Sequence, residues 1–279
     1  MKKSVRRAIM TMVMLILTIG AAPLAAGPIV DGAMVRLPGG LFQPLIAGAG
    51  TPQILVRPFR LDVAPVTNQA FAEFVARHPQ WAVERVPALF AEPRYLRHWP
   101  DNDGPRQPAP EDAHRPVVNV SWFAARAYCS AQGKRLPTIA EWEFAGRASA
   151  TLADGSKEKD YVQRILDWYA QPASNTLPFV MQSAPNYWGI YDMHGAIWEW
   201  TQDFNASGAL RAPSSNVVTI QMNDRQLQVD VGAFCGAAAV SVANPSDYAA
   251  FMRYSFRNSL KAPFVLDTLG FRCAADDAD

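Results

Sequence analysis

Residues 189–200 read "GIYDMHGAIWEW", a stretch too polar for a core strand and too aromatic for an ordinary surface turn. Asp192 and Glu199 lie on either side of Gly195. A tight turn containing glycine would bring these carboxylates and the neighbouring backbone carbonyls together, which raises the question of what the converging oxygens bind. Trp198 and Trp200 would then pack the loop onto the core. The alternative is a loop held by aromatic packing alone.

The first 26 residues are typical of an export signal. Basic side chains at 2–7 precede the apolar run "IMTMVMLILTIGAAPL", which is too short and too near the start for a lone spanning helix. We therefore expect residues 1–26 to be a signal peptide and residues 27–279 to be a periplasmic or secreted domain without membrane contact after cleavage. Two alternatives stay open: a twin-arginine signal at Arg6 and Arg7, and an uncleaved membrane anchor.

Composition indicates one globular domain. The chain has 279 residues, of which 49% are hydrophobic and 18% charged, so disorder is excluded. Loss of the four basic residues of the signal leaves 22 basic against 25 acidic side chains, a net charge of −3. Because no basic run of five or more occurs, we expect no nucleic-acid partner. Scattered prolines and glycines predict many short segments, and no linker or repeat divides the chain.

Local signals predict a strand, a Pro-Gly-Gly turn and a second strand over 33–45. They also predict three capped helices. The first helix begins behind Thr67 or Asn68, and the second begins behind Ser121. The third begins behind Thr138, with Glu141 three residues later completing a capping box.

Three long segments stand in the order and spacing of a known family: "PVVNVSWFAARAYCSAQGKRLPTIAEWEFAGRAS" at 116–149, "GIYDMHGAIWEWTQDF" at 189–204 and "LGFRCAAD" at 269–276. With "MVRLPGGLF" at 34–42 and "VAPVTNQAFAEFV" at 63–75, the chain resembles formylglycine-generating-enzyme-like proteins, the sulfatase-modifying factor family, over nearly all of its mature length. The resemblance implies a single loop-rich α+β domain, C-type-lectin-like in outline, with bound calcium and disulfides.

The resemblance also implies roles for particular residues. The calcium ligands would be the side chains of Asp192 and Glu199 and the carbonyls of Gly195 and Ile197. A second calcium site of the family, expected between 150 and 188, has no match, and we do not predict it.

Cysteine chemistry separates this chain from the catalytic members. Of its three cysteines, the resemblance pairs Cys129 with Cys273 and leaves Cys235 over. Cys235 is a candidate metal ligand or reactive thiol. The small residues that follow it, at 236–238, favour instead a buried and inert side chain.

Catalytic family members activate oxygen at a copper ion held by two thiolates before "LGFRC". Counting back without gaps places Asn244 and Ala249 at those positions, and neither replaces a soft thiolate ligand for Cu(I). We therefore do not expect copper, nor oxidation of a sulfatase cysteine to formylglycine. Tyr248 and Arg253 match family positions around the active centre, and Arg257 follows one helical turn later. With Asn244 and Cys235 they are candidates for a groove, the alternative being a salt-bridged helix face.

Two functional hypotheses follow from the resemblance. In the first, the protein is a periplasmic accessory protein that assists a redox enzyme such as copper nitrite reductase, and its partner is a periplasmic protein, a peptide or a small molecule. In the second, it is an oxidoreductase of altered chemistry, similar to the branch that oxidises the pyoverdine chromophore. The first is favoured because no redox cofactor site can be assembled from these residues.

Overall fold

A computed structural model describes residues 32–42, 53–101, 104–171, 176–205, 217–222, 225–230 and 245–277. The expected signal peptide, Cys235 and Asn244 lie outside these residues. The strands are β1 Met34–Leu37, β2 Gly40–Phe42, β3 Ile54–Val56, β4 Phe59–Asp62, β5 Trp198–Glu199, β6 Val217–Met222, β7 Arg225–Asp230, β8 Leu269–Gly270 and β9 Ala274–Asp276. The α-helices are α1 Asn68–Arg77, α2 Trp122–Ala131, α3 Ile139–Gly146, α4 Lys159–Ala170 and α5 Pro245–Ser259.

The three predicted helix starts are confirmed, because each capping side chain bonds the backbone of its own first turn. Thr67 Oγ1 accepts from Ala70 N at 3.1 Å, which selects Thr67 over Asn68 as the cap of α1. Ser121 caps α2, and Thr138 forms both halves of a capping box with α3. These bonds satisfy N–H groups that have no partner within the helix.

Strand β4 is the centre of the main sheet. It pairs antiparallel with β1 on one side and with β9 on the other. The Pro-Gly-Gly turn separates β1 from β2 as the sequence predicts, but the two strands pair with different partners, since β2 pairs with β3. Gly39 permits the turn between β1 and β2, because a Cβ there would lie 2.3 Å from the carbonyl oxygen of Val56 and because its φ of +67° is unfavourable for other residues.

A short parallel pair joins the 189–200 loop to the C-terminal segment. Trp198 pairs with Leu269 and Glu199 pairs with Gly270. A side chain at Gly270 would place its Cβ 2.2 Å from the carbonyl oxygen of Val117, so only glycine allows β8 to lie so close to the backbone at residue 117. This pairing brings residues 199 and 272 to the same part of the core.

Two apolar clusters form the interior. The larger one packs α1 and α2 against the C-terminal segment. The ring centroid of Phe71 lies 5.8 Å from that of Tyr128 and 6.0 Å from that of Phe271. The smaller one packs β1 and β4 against α3, through Phe59 and Phe144 among others. None of the described helices has the length and apolar character needed to cross a membrane. The fold is a mixed helix and strand domain, as predicted.

A disulfide links α2 to the C-terminal segment. It joins Cys129 to Cys273, which are 144 residues apart in sequence and 5.6 Å apart between Cα atoms. This is the pairing that the family resemblance implies. Both cysteines are fully buried, so the bond lies inside the larger cluster.

Candidate functional site

Helices α3 and α5 meet at a buried cluster of one carboxylate and two guanidinium groups. Glu143 Oε2 accepts from Arg253 Nη2 at 2.6 Å, and Glu143 Oε1 accepts from Arg257 Nη1 at 2.6 Å. Arg253 Nε completes a bidentate contact at 2.9 and 3.0 Å. The three residues are 4%, 7% and 3% exposed respectively, so the charges are removed from water.

Two aromatic side chains contact the guanidinium groups of this cluster, which carries one positive charge in excess. The guanidinium carbons of Arg257 and Arg253 lie 4.6 and 5.7 Å from the Trp142 ring centroid, a cation–π geometry. Arg253 Nη1 also donates to the Tyr169 hydroxyl at 3.1 Å. Burial raises the pKa of Tyr169, so this hydroxyl stays neutral and contributes a dipole only.

The two arginines determine the ionisation of Glu143. Burial alone would raise the pKa of the Glu143 carboxyl, but the charges and hydrogen bonds of Arg253 and Arg257 outweigh it and lower the pKa to about 2. Glu143 is therefore a carboxylate throughout the physiological range, and its electrostatic role is to neutralise one of the two guanidinium groups.

The hypothesis that Arg253 and Arg257 line an open groove is not what the structure shows. Both are buried in ion pairs with Glu143, which corresponds to the salt-bridged alternative. Ala249, one of the two positions where the family resemblance implies a copper thiolate, is 2% exposed on α5. The side chain of Tyr248 is outside the described part of that helix, as are Asn244 and Cys235.

Glu199, predicted as a calcium ligand, forms a second buried ion pair. Arg272 Nε donates to its two oxygens at 3.1 and 2.8 Å, and Arg272 Nη2 donates to Oε1 at 2.8 Å. Trp142 Nε1 donates to Oε2 at 2.8 Å. A carboxylate offers about four lone-pair directions. Three protein N–H groups therefore take up most of the acceptor capacity of Glu199.

Asp192, the other predicted carboxylate ligand, keeps free acceptor capacity. Its Oδ2 accepts from Met181 N at 2.6 Å, and its Oδ1 accepts from Ser183 Oγ at 2.8 Å. Asp192 itself has φ +56° and Gly195 has φ +98°, so the loop turns sharply between the predicted ligands. Asp192 and the loop carbonyls have acceptor capacity for a cation, whereas at Glu199 a cation would compete with Trp142 and Arg272 for the same oxygens.

Calcium at this loop therefore stays a prediction. Among the residues that the structure describes, no group of three or more His, Cys, Asp or Glu side chains could hold a metal ion. The predicted ligand set has only two such side chains and relies on the carbonyls of Gly195 and Ile197 for the rest.

His194, which the sequence places merely in a loop, lies beside the arginine cluster. Its Nε2 lies 2.7 Å from the carbonyl oxygen of Gly146, which can only accept, so Nε2 carries the proton. Its Nδ1 is a buried atom without a hydrogen-bond partner. Burial, with a contribution from Arg253, lowers the pKa of His194 to about 3, and the imidazole is neutral at physiological pH.

Sequence reasoning also missed Glu143, although one signal was present. Glu143 stands between Trp142 and Phe144 in a helix whose other residues are mostly apolar. A carboxylate on a buried helix requires cationic partners, because unpaired buried charge is strongly unfavourable. Which cations these are depends on a helix more than a hundred residues later, and local pattern does not contain that information.

Comparison with known proteins identifies the family of this chain. The chain belongs to the family of sulfatase-modifying factor enzyme 1-like domains, whose model matches residues 28–277. It is 29% identical over 297 residues to the "Inactive C-alpha-formylglycine-generating enzyme 2" of Bos taurus, covering 87% of each chain. It is 30% identical over 305 residues to the formylglycine-generating enzyme of Streptomyces coelicolor, covering 91% of this chain and 92% of that one.

Among solved structures, PvdO from Pseudomonas aeruginosa is similar with a TM-score of 0.45 and 19% identity, over 87% of this chain and 94% of that one. The curated relatives include one named inactive and one named as an enzyme at nearly equal identity. Membership in the family therefore does not by itself assign an activity.

Proposed function

We propose that this protein is an exported accessory protein of the formylglycine-generating-enzyme-like family. It assists the maturation or activity of a periplasmic redox enzyme such as copper nitrite reductase, and it does not itself carry out the family's copper-dependent oxidation. Its partner is a periplasmic protein or peptide that binds the domain surface.

The observation that carries the proposal is the residue at position 249. A copper-dependent oxidation of the family type needs two thiolates, and here one of the two positions is Ala249, a buried methyl group on α5. The other position is Asn244. An amide and a methyl group are not ligands that select Cu(I).

The surroundings of Ala249 support the same conclusion. The polar side chains one and two turns along α5, Arg253 and Arg257, are bound to Glu143 and are not free to bind or polarise a substrate. One similar protein is itself named an inactive formylglycine-generating enzyme, so a member without that activity would have a named counterpart.

The test combines metal analysis, turnover and genetics. The purified mature protein should contain no stoichiometric copper or iron and should leave a sulfatase-derived cysteine peptide unchanged by mass spectrometry, while a formylglycine-generating relative converts the same peptide. Deletion of the gene in its source strain should lower nitrite reductase activity, and the wild-type gene should restore it.

A matched variant separates the two functional hypotheses. The double substitution Asn244→Cys and Ala249→Cys reinstates the thiolate pair, and an accessory role requires neither thiolate, so this gene should complement the deletion as well as wild type. Bound redox metal with turnover by the unmodified protein would overturn the proposal in favour of an oxidoreductase of altered chemistry. Unchanged nitrite reductase activity in the deletion strain would exclude that enzyme as the target.

A further inference from the structure

A cavity of about 400 Å³ lies between α4 and the segment 183–195. Its apolar lining includes Ile165, Ile190 and Met193, which are mostly covered by the rest of the core and are 6%, 1% and 5% exposed. A second, more open cavity of about 420 Å³ shares part of this wall, including Tyr161 and Arg164. The two cavities adjoin at a junction where Tyr161 and Arg164 line both of them, and the pair of cavities is called the groove below.

Arg164 is placed to receive an anion. Its side chain is exposed. Among the described residues it contacts the Tyr161 ring, with 6.0 Å between the guanidinium carbon and the ring centroid. By contrast, neighbouring Arg147 is paired with Asp154 at 2.9 Å. A guanidinium group at the edge of an apolar cavity offers two parallel donors to a carboxylate or a sulfonate.

The remaining charges near the groove do not occupy this junction. Asp192 lines only the first cavity and not the second, so it does not lie where the two cavities adjoin. Lys159 lines only the second cavity, together with Glu158 and Asp160 on the same helical turn. An anion at the junction therefore meets Arg164 first.

Two exposed hydrophobic residues are bonded to Ser149, which lines both cavities. Leu152 is 48% exposed and Tyr187 is 53% exposed. Each donates its backbone N–H to Ser149, at 3.0 and 2.6 Å. Neither side chain lines a cavity, so a ligand would be bound by the walls of the two cavities.

We propose that this groove is a binding site for a small molecule with an apolar aryl or branched acyl body and a single anionic group. The body fills the first cavity against Ile165, Ile190 and Met193, and the anionic group lies at Arg164. The volume falls in the range of small-molecule sites. The site is separate from position 249 and goes beyond the accessory function proposed above.

The probe for the test is 1-anilinonaphthalene-8-sulfonate, which combines an aromatic body with one sulfonate and fluoresces when bound in apolar surroundings. Wild-type protein should bind it saturably. Arg164→Gln should weaken binding about tenfold, the effect of losing one charge-assisted contact. The matched control is Arg126→Gln, because Arg126 is also exposed and lies over an aromatic ring, 5.3 Å from Trp122, away from the groove.

A second pair of variants tests the location independently of charge. Ala184 is exposed and lines the first cavity, so Ala184→Trp should fill it and abolish binding without affecting folding. Its control is Leu89→Ser, which removes a hydrophobic side chain 75% exposed elsewhere and should leave binding unchanged. The uncharged analogue N-phenyl-1-naphthylamine should bind wild type and Arg164→Gln equally. Absence of saturable binding to wild type, unchanged binding by Ala184→Trp, or equal effects of the two arginine substitutions would overturn the proposal.

Discussion

Replacing Glu143 with Gln should be among the most destabilising single substitutions in the chain, although it removes no atoms from the core. Glu143 is 4% exposed and is the carboxylate contacting both Arg253 and Arg257. The substitution leaves two buried guanidinium groups facing a neutral amide. Breaking a buried ion pair by removing one partner costs about 3–5 kcal/mol of unfolding free energy.

The arrangement predicts an asymmetry that distinguishes charge from packing. Arg253→Met removes one of the two cations and leaves a neutral pair of Glu143 with Arg257, so it should cost less than half as much as Glu143→Gln. A purely packing-based account would predict the reverse, because Arg253 fills more space and makes more contacts. The exposed residue Glu73, replaced by Gln on α1, is the control and should change stability by no more than about 0.5 kcal/mol.

Urea unfolding followed by tryptophan fluorescence, with the disulfide intact, measures these differences from the midpoint and the slope. The pH dependence adds a second readout. The pKa of Glu143 is about 2 in the folded state against about 4.3 unfolded, so its stabilisation is present above pH 4.3 and is lost as the pH falls toward 2. Glu143→Gln should lack that loss. A Glu143→Gln variant within about 1 kcal/mol of wild type, or one more stable than Arg253→Met, would refute the reasoning.

Three further predictions concern acid, the disulfide and calcium. Burial lowers the pKa of His98 to about 4 and the pKa of His194 to about 3, so the unfolded chain binds more protons than the folded chain below pH 6.5. The free energy of unfolding should therefore fall by about 1.4 kcal/mol per pH unit for each histidine as the pH is lowered to those values. His194→Gln should remove one such slope, and a flat stability profile from pH 7 to 4.5 would contradict this. Replacing Cys129 and Cys273 together by Ser should lower the unfolding free energy by about 5 kcal/mol, the chain-entropy value for so long a loop, and an unchanged urea midpoint would count against it. A chelator should lower the melting temperature if calcium binds at Asp192; elemental analysis without calcium and a chelator-insensitive melt would end that prediction.

Much of the local structure could be predicted because its causes are local. Thr67, Ser121 and Thr138 cap helices by bonding N–H groups within three residues, and such bonds depend on neighbouring sequence alone. The family and its α+β fold could be predicted because long motifs retain order and spacing.

The buried ion pairs could not be predicted in the same way. Glu143 is 110 and 114 residues from its partners, and Glu199 is 73 residues from Arg272. The sequence therefore leaves Arg253 between a groove residue and a salt-bridged helix face, and it predicts Glu199 as a metal ligand. In both cases the partner is chosen by how the helices and strands pack, which a single sequence does not state.

The position of β4 between β1 and β9 has a consequence for the order in which the molecule can fold during synthesis. β1 is made shortly before β4, but the opposite neighbour is Ala274–Asp276, more than two hundred residues later. The same terminal stretch supplies Arg272 for Glu199 and Cys273 for Cys129. A nascent chain that stops before residue 269 lacks a sheet neighbour, a countercharge and a cross-link at once. The native core can therefore be completed only after residues 269–276 have been synthesised, because the last sheet strand, the partner of Glu199 and the second cysteine all come from that stretch.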